Sequence, residues 1–276
     1  MTASPPIWMY WHQGWDNAPR LVRACRDTWL RLNPDHQLHQ LDQHSVREYV
    51  RPHPGIAADR PDITVQKWSA LARLNLLANH GGVWVDATVA CVQPLNTWLD
   101  VSSESPFFAF GNPGPDRLMS NWFIAADPAS LLAQRLHRDL SNYYATNRFS
   151  RQGTEFGDRL IERFNRRWST AAADTPAWHS WFARKILRVY PYFIFHYTFN
   201  RLVLEDPECA AEWQAAQALA AGPPHRIQEW ASYPDGIGRA IYDIETRVAP
   251  VQKLDWRLDP DAPYWSAVLK HLEAIS

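Results

Sequence analysis

The segment from Gln66 to Pro94 constrains the fold most, because it predicts a helix, a glycine break, a strand and a carboxylate in that order. Residues 65–79 carry apolar side chains at almost every helical azimuth, which predicts a largely buried helix. Glycines follow at 81 and 82, and glycine accepts the left-handed conformation that ends a helix. A short apolar strand over 83–85 then leads directly to Asp86. Ligands of open α/β sheets bind just beyond the carboxyl ends of strands, so Asp86 is a candidate ligand-binding residue.

Three polar residues interrupt the apolar helix. Gln66, Ser69 and Arg73 are spaced i, i+3 and i+7, so they share one stripe of its surface. A lone aspartate at a strand end, as at Asp86, can hold a cation or a ribose hydroxyl. The alternative is that Arg73 closes an ion pair and Asp86 opens a turn, since unusual charges mark sites only statistically. Spacing alone leaves both interpretations open.

The composition narrows the class of protein. The chain has 276 residues with 28 Lys and Arg against 29 Asp and Glu, and this balance argues against nucleic acid as a partner. Hydrophobic residues make up 46%, enough for a globular core. No run approaches the roughly 18 apolar residues of a membrane span, and the first residues show no secretory signal. Three separated cysteines without a C-x-x-C spacing predict a reducing, cytoplasmic location.

The N-terminal residues predict the first strand of the sheet. Residues 7–11 are aromatic and β-prone, 12–14 form a tight loop, and Pro19 opens a helix that runs to Leu32. This loop lacks the G-x-G-x-x-G pattern, so a dinucleotide cofactor is not indicated. Fifteen tryptophans are present, and most are expected in the core. For Trp8 and Trp11, a purely structural role in the core is the alternative to contact with a ligand.

Further elements follow from periodicity and turn residues. Strands are predicted at 36–41, 87–92, 107–110 and 120–126, with a loop at 112–116. Helices are predicted at 45–50, 129–144, 155–168, 181–188, 190–201 and 209–221. Residues 169–176 carry the weakest pattern and are interpreted as a loop.

The motif G-G-V-W-V-D-A-T-V, with Ser69 and Arg73 upstream, resembles the capsular-polysaccharide-synthesis type of glycosyltransferase. Its relatives are mannosyl- and glucosyltransferases with an S-D-x-x-R helix followed by G-G-x-Y-x-D-x-D. The resemblance implies an α/β fold of the glycosyltransferase-A type, with a Rossmann-like mixed sheet flanked by helices and added C-terminal helices. We expect a single domain over 1–276, with a nucleotide-sugar-binding core at 1–130 and a helical, acceptor-side part at 131–276.

Other blocks extend the resemblance. I-W-M-Y-W-H-Q-G implies that Trp11, Gln13 and Gly14 lie near the nucleotide base. S-N-W at 120–122 implies that Asn121 faces the donor sugar with Trp122 beside it, although a turn-to-strand residue is the alternative. Lys253 in V-Q-K-L is expected to meet a phosphate, and a solvated surface lysine is the alternative.

The resemblance also implies a divalent ion. Asp86 is its expected carboxylate ligand, and His196 in Y-F-I-F-H-Y-T-F is a second candidate, with a core histidine as the alternative. Hard oxygen ligands select Mn²⁺ or Mg²⁺. Two residues depart from the pattern of the relatives: Thr88 replaces the second Asp of D-x-D, and Ala70 replaces the acidic residue of S-D-x-x-R. Pro191 stands where the family commonly has an Asp.

The predicted reaction is sugar transfer from a nucleotide diphosphate sugar to a surface polysaccharide, a glycan or a lipid-linked glycan precursor. Asp86 and Arg73 are the predicted catalytic residues, and Gln66 and Ser69 contribute to donor binding. Related transferases retain anomeric configuration, so no general base is named. A peripheral position at the inner membrane face accompanies the cytoplasmic prediction. The alternative function is a non-catalytic nucleotide- or carbohydrate-binding protein on a degenerate transferase scaffold.

Overall fold

The computed structural model of the protein describes residues 4–57, 60–101 and 105–275. The chain forms two compact units, each assembled from separate stretches of sequence. Unit 1 comprises Met1–Arg47, Gly82–Asp100 and Ala220–Ser276, and unit 2 comprises Glu48–Gly81 and Val101–Leu219. The predicted division at residue 130 stays a prediction.

The secondary structure alternates between the α and β types along much of the chain. The strands are β1 (Ile7–Tyr10), β2 (Leu38–Leu41), β3 (Gly82–Asp86), β4 (Val89–Cys91), β5 (Phe107–Gly114), β6 (Arg117–Ala126) and β7 (Val251–Lys253). The α-helices are α1 (Arg20–Leu32), α2 (Val46–Tyr49), α3 (Val65–His80), α4 (Leu131–Ala145), α5 (Glu155–Trp168), α6 (Ile194–Glu205), α7 (Pro207–Ala215), α8 (Arg226–Trp230), α9 (Gly236–Glu245) and α10 (Pro263–Ala274).

Unit 1 contains three parallel strands with β1 in the middle. Tyr10 lies opposite Leu41 of β2 and Asp86 of β3, so all three strands end in one row. Gly82 opens β3 with φ 95°, and a side chain there would approach the Pro6 carbonyl oxygen to 2.3 Å. The glycine pair therefore both ends the preceding helix and lets β3 begin beside the N-terminal segment.

A second, two-stranded sheet in unit 1 pairs the middle of the sequence with its end. Strands β4 and β7 are antiparallel, with Val89 opposite Lys253 and Cys91 opposite Val251. The buried Trp29 of α1 donates its indole N–H to the Val89 carbonyl at 2.7 Å. Apolar side chains of α1, β4, α9 and α10 form the core of this unit.

Unit 2 is built on the antiparallel pair β5–β6. Phe107 lies opposite Ala126, and the register shifts twice toward the turn, between Ala109 and Gly111 and again before Gly114. Helix α6 packs on β6, and α3 packs on α4. Helix α3 begins at Val65, where the Thr64 hydroxyl accepts the Lys67 amide at 3.4 Å.

The predicted fold class is confirmed: the protein is α/β, with parallel and antiparallel strands flanked by helices and further helices toward the C-terminus. Several local predictions were wrong. The predicted loop at 112–116 is largely strand, because bulged pairing carries β5 to Gly114. The predicted strand at 87–92 begins only at Val89, because the two preceding residues form a turn.

The third correction concerns the alanine-rich segment. The predicted helix over 209–221 ends at Ala215, and Ala216 is extended. Further along, the Leu219 carbonyl accepts the Gly111 amide at 2.8 Å, so this part of the chain is bound to β5 instead of continuing the helix. Residues 169–176 were interpreted as a loop, yet Ala172–His179 is a 3₁₀ helix.

Candidate functional site

The predicted site residues fall into two groups, one in each unit. Unit 1 holds the strand-end group, which we define as Trp11, Gln13, Gly14, Asp86 and Lys253. Unit 2 holds Gln66, Ser69, Arg73, Asn121, Trp122 and His196.

Trp11 follows β1 directly. Its backbone N–H donates to the Leu41 carbonyl at 2.9 Å, which continues the parallel pairing one residue past the strand. Its ring meets the half-exposed Trp256 edge-on, with centroids 6.2 Å apart. The indole N–H of Trp11 is buried and has no hydrogen-bond partner among the described residues. Buried donors are nearly always paired, so this one fits an acceptor on a ligand.

The loop after Trp11 turns tightly at Gly14. This glycine has φ 87°, a conformation that favours glycine, and its N–H donates to the Trp11 carbonyl at 3.1 Å. The Gln13 side chain is exposed. In the same segment the Tyr10 hydroxyl and His12 Nδ1 lie 2.7 Å apart. Burial and the neighbouring Asp42 raise the pKa of Tyr10 to about 12, so its hydroxyl keeps its proton at neutral pH.

Asp86 occupies the end of β3 and is half-buried. Its Oδ1 accepts the indole N–H of Trp84 at 2.9 Å. Because β-strand residues two apart lie on the same face, Trp84 can orient the carboxylate from within its own strand. The carboxylate therefore stands in a fixed direction beside the end of β1.

Lys253 belongs to the same part of unit 1 because β7 pairs with β4. Its ammonium donates to the Thr88 hydroxyl at 2.5 Å and to the Leu254 carbonyl at 3.0 Å. The Thr88 carbonyl accepts the Leu254 amide at 2.8 Å, which locks the two segments together. A positive charge thus lies on the residue that replaces the second aspartate of D-x-D, two residues after Asp86.

The residues around Asp86 do not fit a divalent cation. Thr88 offers a neutral oxygen that already accepts from an ammonium, and a second cation beside that ammonium would be repelled. In the described parts of the chain, no group of three or more His, Cys, Asp or Glu side chains could hold a metal ion. The predicted Mn²⁺ or Mg²⁺ stays a prediction.

In unit 2, the polar stripe of α3 is present but unevenly exposed. Gln66 is exposed, Ser69 is half-buried and Arg73 is buried. The Arg73 guanidinium lies 5.6 Å from the centre of the Phe195 ring. The ring of Phe195, on α6, therefore helps to hold the arginine within unit 2.

Asn121 and Trp122 lie on β6 and point to opposite faces, as consecutive strand residues do. Asn121 is half-buried, whereas Trp122 is buried and stacks on Phe110 with centroids 4.8 Å apart. The structure thus places Trp122 in the apolar packing of unit 2. Donor-sugar contact by either residue stays a prediction.

Three cations of unit 2 lie against four aromatic rings of one short segment. Lys67 is 4.8 Å from Tyr192 and 5.5 Å from Tyr190, Arg117 is 4.0 Å from Phe193, and Arg73 contacts Phe195. We call this arrangement the basic aromatic cluster, which consists of Lys67, Arg73, Arg117, Tyr190, Tyr192, Phe193, Phe195 and His196. Its positive charge suits an anionic ligand.

His196 lies inside this cluster. Burial and the positive charges of Arg117, Arg73 and Lys67 hold its pKa well below the ordinary value, so the imidazole is neutral. Its Nδ1 is buried without a hydrogen-bond partner among the described residues. The same charges that keep it neutral oppose a divalent cation, so the geometry favours the core-histidine interpretation over the metal ligand.

Lys67 was missed from the sequence. Its ammonium donates to the Tyr192 carbonyl at 2.5 Å, and in the described part of the chain it forms no ion pair. Burial lowers its pKa to about 8, so it remains mostly charged at neutral pH. A lysine ammonium has three donors, which leaves two for a ligand. The sequence did contain a signal for Lys67, because it is a charged residue next to Gln66 on an otherwise apolar helix.

Arg117 was also missed. It forms an ion pair with Asp116 at 3.0 Å, and the Tyr197 hydroxyl donates to the other oxygen of that carboxylate at 2.7 Å. The sequence placed this residue just after a loop, so nothing in its spacing connected it with α6. Its role emerges only once β6 packs on α6.

Comparison with known proteins gives the family. Residues 1–152 match the sequence model described as capsular polysaccharide synthesis protein. The protein belongs to this family. The matched region includes β1, the Gly14 loop, the stripe of α3, Asp86 and Asn121, so the resemblance predicted from the motifs is confirmed.

Two curated relatives are similar over about half of the chain. The O-glycosyltransferase braB of Annulohypoxylon truncatum is 31% identical over 146 residues, which cover 46% of this chain and 34% of the relative. The O-glycosyltransferase PaGT of Phomopsis amygdali is 26% identical over 145 residues, which cover 46% and 36%. The alignments thus span about a third of the length of these relatives.

A solved structure named PaToxG Glycosyltransferase aligns with 98% of this chain and 87% of its own, at 13% identity and a TM-score of 0.44. Within the described ranges, no helix is long and apolar enough to cross a bilayer.

Proposed function

We propose that this protein is a glycosyltransferase that moves a sugar from a nucleotide diphosphate sugar to a hydroxyl of a glycan or lipid-linked glycan. Family membership supports the reaction type, and the relatives are named O-glycosyltransferases. Among the residues themselves, one observation carries the proposal. The strand ends of unit 1 combine a fixed carboxylate, an ammonium and an unpaired indole N–H.

Each of these groups has a task in the proposed reaction. The Trp11 N–H donates to a carbonyl of the base, while Trp11 and Trp256 offer aromatic surface to its ring. Asp86 accepts hydroxyls of the ribose or the sugar. Gly14 leaves the loop backbone open to close approach, because it has no side chain.

Lys253 is assigned to the leaving diphosphate. When the bond between the sugar C1 and the diphosphate oxygen breaks, its electron pair stays on the diphosphate. A new bond forms from C1 to the acceptor oxygen, and the proton of the acceptor hydroxyl passes to the leaving diphosphate oxygen. Fixed positive charge at the growing anion stabilises this step. The Thr88 hydroxyl and the Leu254 carbonyl hold the ammonium in place, so little reorganisation is required.

The basic aromatic cluster supplies a second place for anionic groups. Lys67 and Arg73 come from the same helix, and both lie on rings of the Tyr190–Phe195 segment. We assign this cluster to negatively charged parts of the substrates.

The test is turnover with a panel of labelled nucleoside diphosphate sugars, each measured with and without candidate glycan acceptors. We expect one donor class to release nucleoside diphosphate, and Asp86→Asn to lower that rate at least about 100-fold. Asparagine keeps an Oδ1 acceptor for Trp84, so the variant removes charge with little change of shape. Asp42→Asn is the matched control, since Asp42 follows β2 and its carboxylate accepts the backbone amides of His44 and Ser45.

Two results would reject the transferase. Saturable donor binding without any turnover, with every acceptor tested, would favour the non-catalytic binding protein. Equal losses in Asp86→Asn and Asp42→Asn would show that the strand-end carboxylate is not special to the reaction.

A further inference from the structure

The segment after the 3₁₀ helix of unit 2 exposes large apolar side chains. It forms a π-helix over Phe182–Leu187, preceded by Trp181 and closed by Arg188, which has φ 54°. Trp181 is 63% exposed, and Phe182 and Ile186 are each 43% exposed. Single exposed apolar residues are common on soluble proteins, but three within six residues form a patch.

Helix α5 extends this patch. Its Phe156 is 52% exposed, and Arg151 connects it to the π-helix. The Arg151 guanidinium lies 5.4 Å from the Phe156 ring and donates to the Ile186 carbonyl at 2.8 Å. We name these residues together the Trp181 surface, defined as Phe156, Trp181, Phe182 and Ile186 with the basic residues Arg151, Arg184, Lys185 and Arg188.

The charge of this region differs from that of the chain. Residues 148–188 contain nine Lys and Arg but only four Asp and Glu, whereas the whole chain has a net charge of −1. The positive charge is therefore concentrated on the part of unit 2 that carries the exposed aromatic side chains.

In the part of the chain that the structure describes, carboxylates do not pair with the cations that the Trp181 surface takes from its π-helix and from Arg151. Lys185 donates to the Thr146 carbonyl at 2.9 Å, and Arg188 donates to the Lys185 carbonyl at 3.1 Å. Neither residue, nor Arg151, forms an ion pair among the described residues. By contrast, Arg159 and Arg166 of α5 pair with Glu155 and Glu162 at 3.3 and 2.6 Å.

The two properties together indicate one class of partner. A polymer that carries only negative charge would leave the apolar side chains of Trp181 and Ile186 exposed to water. An apolar protein surface would leave the dense positive charge uncompensated. The interface of an anionic bilayer uses both, because aromatic and aliphatic side chains enter the headgroup boundary while basic ones meet lipid phosphates. We propose that the Trp181 surface docks the protein on bilayers that contain anionic phospholipids.

The first test is vesicle flotation of the whole chain with phosphatidylcholine alone or mixed with phosphatidylglycerol. We expect binding only to the mixed vesicles, weakened by salt. Replacing Trp181, Phe182 and Ile186 together by Ser lowers the partition coefficient roughly 100-fold, because the buried apolar area is lost. The pair Lys185→Gln and Arg188→Gln lowers it about tenfold or more.

Matched controls test whether the position of the replaced residues matters, and not only the change in charge or in aromatic content. The pair Arg159→Gln and Arg166→Gln changes net charge by the same amount at cations that are already paired, and we expect little change in binding. Tyr242→Ser removes an equally exposed aromatic residue, 63% exposed on α9, and is expected to bind as the wild type does.

A second measurement does not depend on loss of binding. Cys25, Cys91 and Cys209 are at most 1% exposed, so a thiol-reactive dye labels an introduced surface cysteine selectively. Ile186→Cys carrying an environment-sensitive dye should shift its emission to the blue on mixed vesicles, and labelled Tyr242→Cys should not. Equal shifts at both positions, full binding by the triple Ser variant, or no binding to mixed vesicles would overturn the proposal.

Discussion

The strand-end group of unit 1 and the basic aromatic cluster of unit 2 both contain residues of one family pattern, yet they hold charge in different ways. In unit 1, Asp86 accepts an indole N–H and Lys253 donates to a hydroxyl and a carbonyl. In unit 2, Lys67, Arg73 and Arg117 lie on aromatic rings, in addition to the hydrogen bond of Lys67 to the Tyr192 carbonyl and the ion pair of Arg117 with Asp116.

The difference matters for binding. A hydrogen-bonded side chain has a fixed direction, which suits a reacting centre where charge develops at a known place. Lys67 uses one of its three N–H donors on the Tyr192 carbonyl, and the imidazole of His196 beside the cations is neutral. We therefore predict that unit 1 orients the donor and that unit 2 attracts anionic groups.

The largest expected effect comes from Asn200, which connects α6 with the start of β6 and the 3₁₀ helix of unit 2. Asn200 is fully buried; it accepts the Leu118 amide at 3.1 Å and donates to the Asp116 carbonyl and the Thr175 hydroxyl at 2.8 and 3.0 Å. Asn200→Ala leaves these groups unpaired. We expect the free energy of unfolding to fall by about 3 kcal/mol, measured by urea denaturation.

Asn33 provides the matched change in unit 1. It is 4% exposed and accepts the Leu95 amide at 2.7 Å, but its other two contacts are 3.4 Å long. Asn33→Ala should therefore cost less, about 1–2 kcal/mol. Equal losses of stability in both variants would show that the three contacts of Asn200 cost no more to break than those of Asn33.

Acid should weaken unit 2 through its buried imidazoles. Burial, with Arg201 and Arg184 nearby, lowers the pKa of His179 to about 3, and the pKa of His196 is lowered as well. Below the unfolded pKa of about 6.5, the unfolded chain binds protons that the folded chain does not, so stability falls as pH falls. Between pH 6.5 and 5 we expect His179 alone to account for a loss of about 1.6 kcal/mol, and His196 to add a loss of the same sign.

Urea denaturation over this pH range measures the slope. His179→Gln cannot take up a proton, so its slope should be smaller than that of the wild type by about one proton. An unchanged slope in His179→Gln would mean that this imidazole is protonated in the folded protein.

The smallest expected effect concerns Lys67. Lys67→Gln removes one charge from the basic aromatic cluster, and we expect the dissociation constant of a nucleoside diphosphate sugar to rise about fivefold, or about 1 kcal/mol. Because the pKa of Lys67 is about 8, wild-type affinity should also decline between pH 7 and 9, and the variant should lack this decline. Calorimetric titration measures both.

Lys270→Gln is the control for Lys67, since Lys270 is exposed on α10. Equal losses of affinity in the two variants would indicate a general effect of net charge. A flat pH profile in the wild type would remove Lys67 from the binding site.

The helices and strands that were predicted correctly are those whose boundaries are set by residues close by in the sequence. The buried helix α3, the glycine break and β3 were confirmed, with Asp86 at the end of the strand. So were α1 after Pro19 and the amphipathic α5 over Glu155–Trp168. In each case a glycine, a proline or a strong periodicity sets the boundary without help from the rest of the chain.

The remaining features depend on contacts between distant residues. Lys253 is positioned by pairing with β4, which lies more than 150 residues earlier, and no local pattern places its ammonium on Thr88. Lys67 and Arg117 join one cluster only because α3, β6 and α6 pack in one unit. For the same reason the end of α7 was misplaced, since a hydrogen bond to Gly111 competes with alanine propensity.

The most direct test of the account is the melting shift caused by a nucleoside diphosphate sugar in EDTA, measured for the wild type, Lys253→Met and Asp86→Asn. A ligand at about 100 times its dissociation constant adds roughly 2.7 kcal/mol, which is readily detected. We predict that the wild type is stabilised without metal and that each variant loses most of the shift. A shift that appears only with Mn²⁺ and is unchanged in Lys253→Met would contradict the assignment of the diphosphate to this lysine.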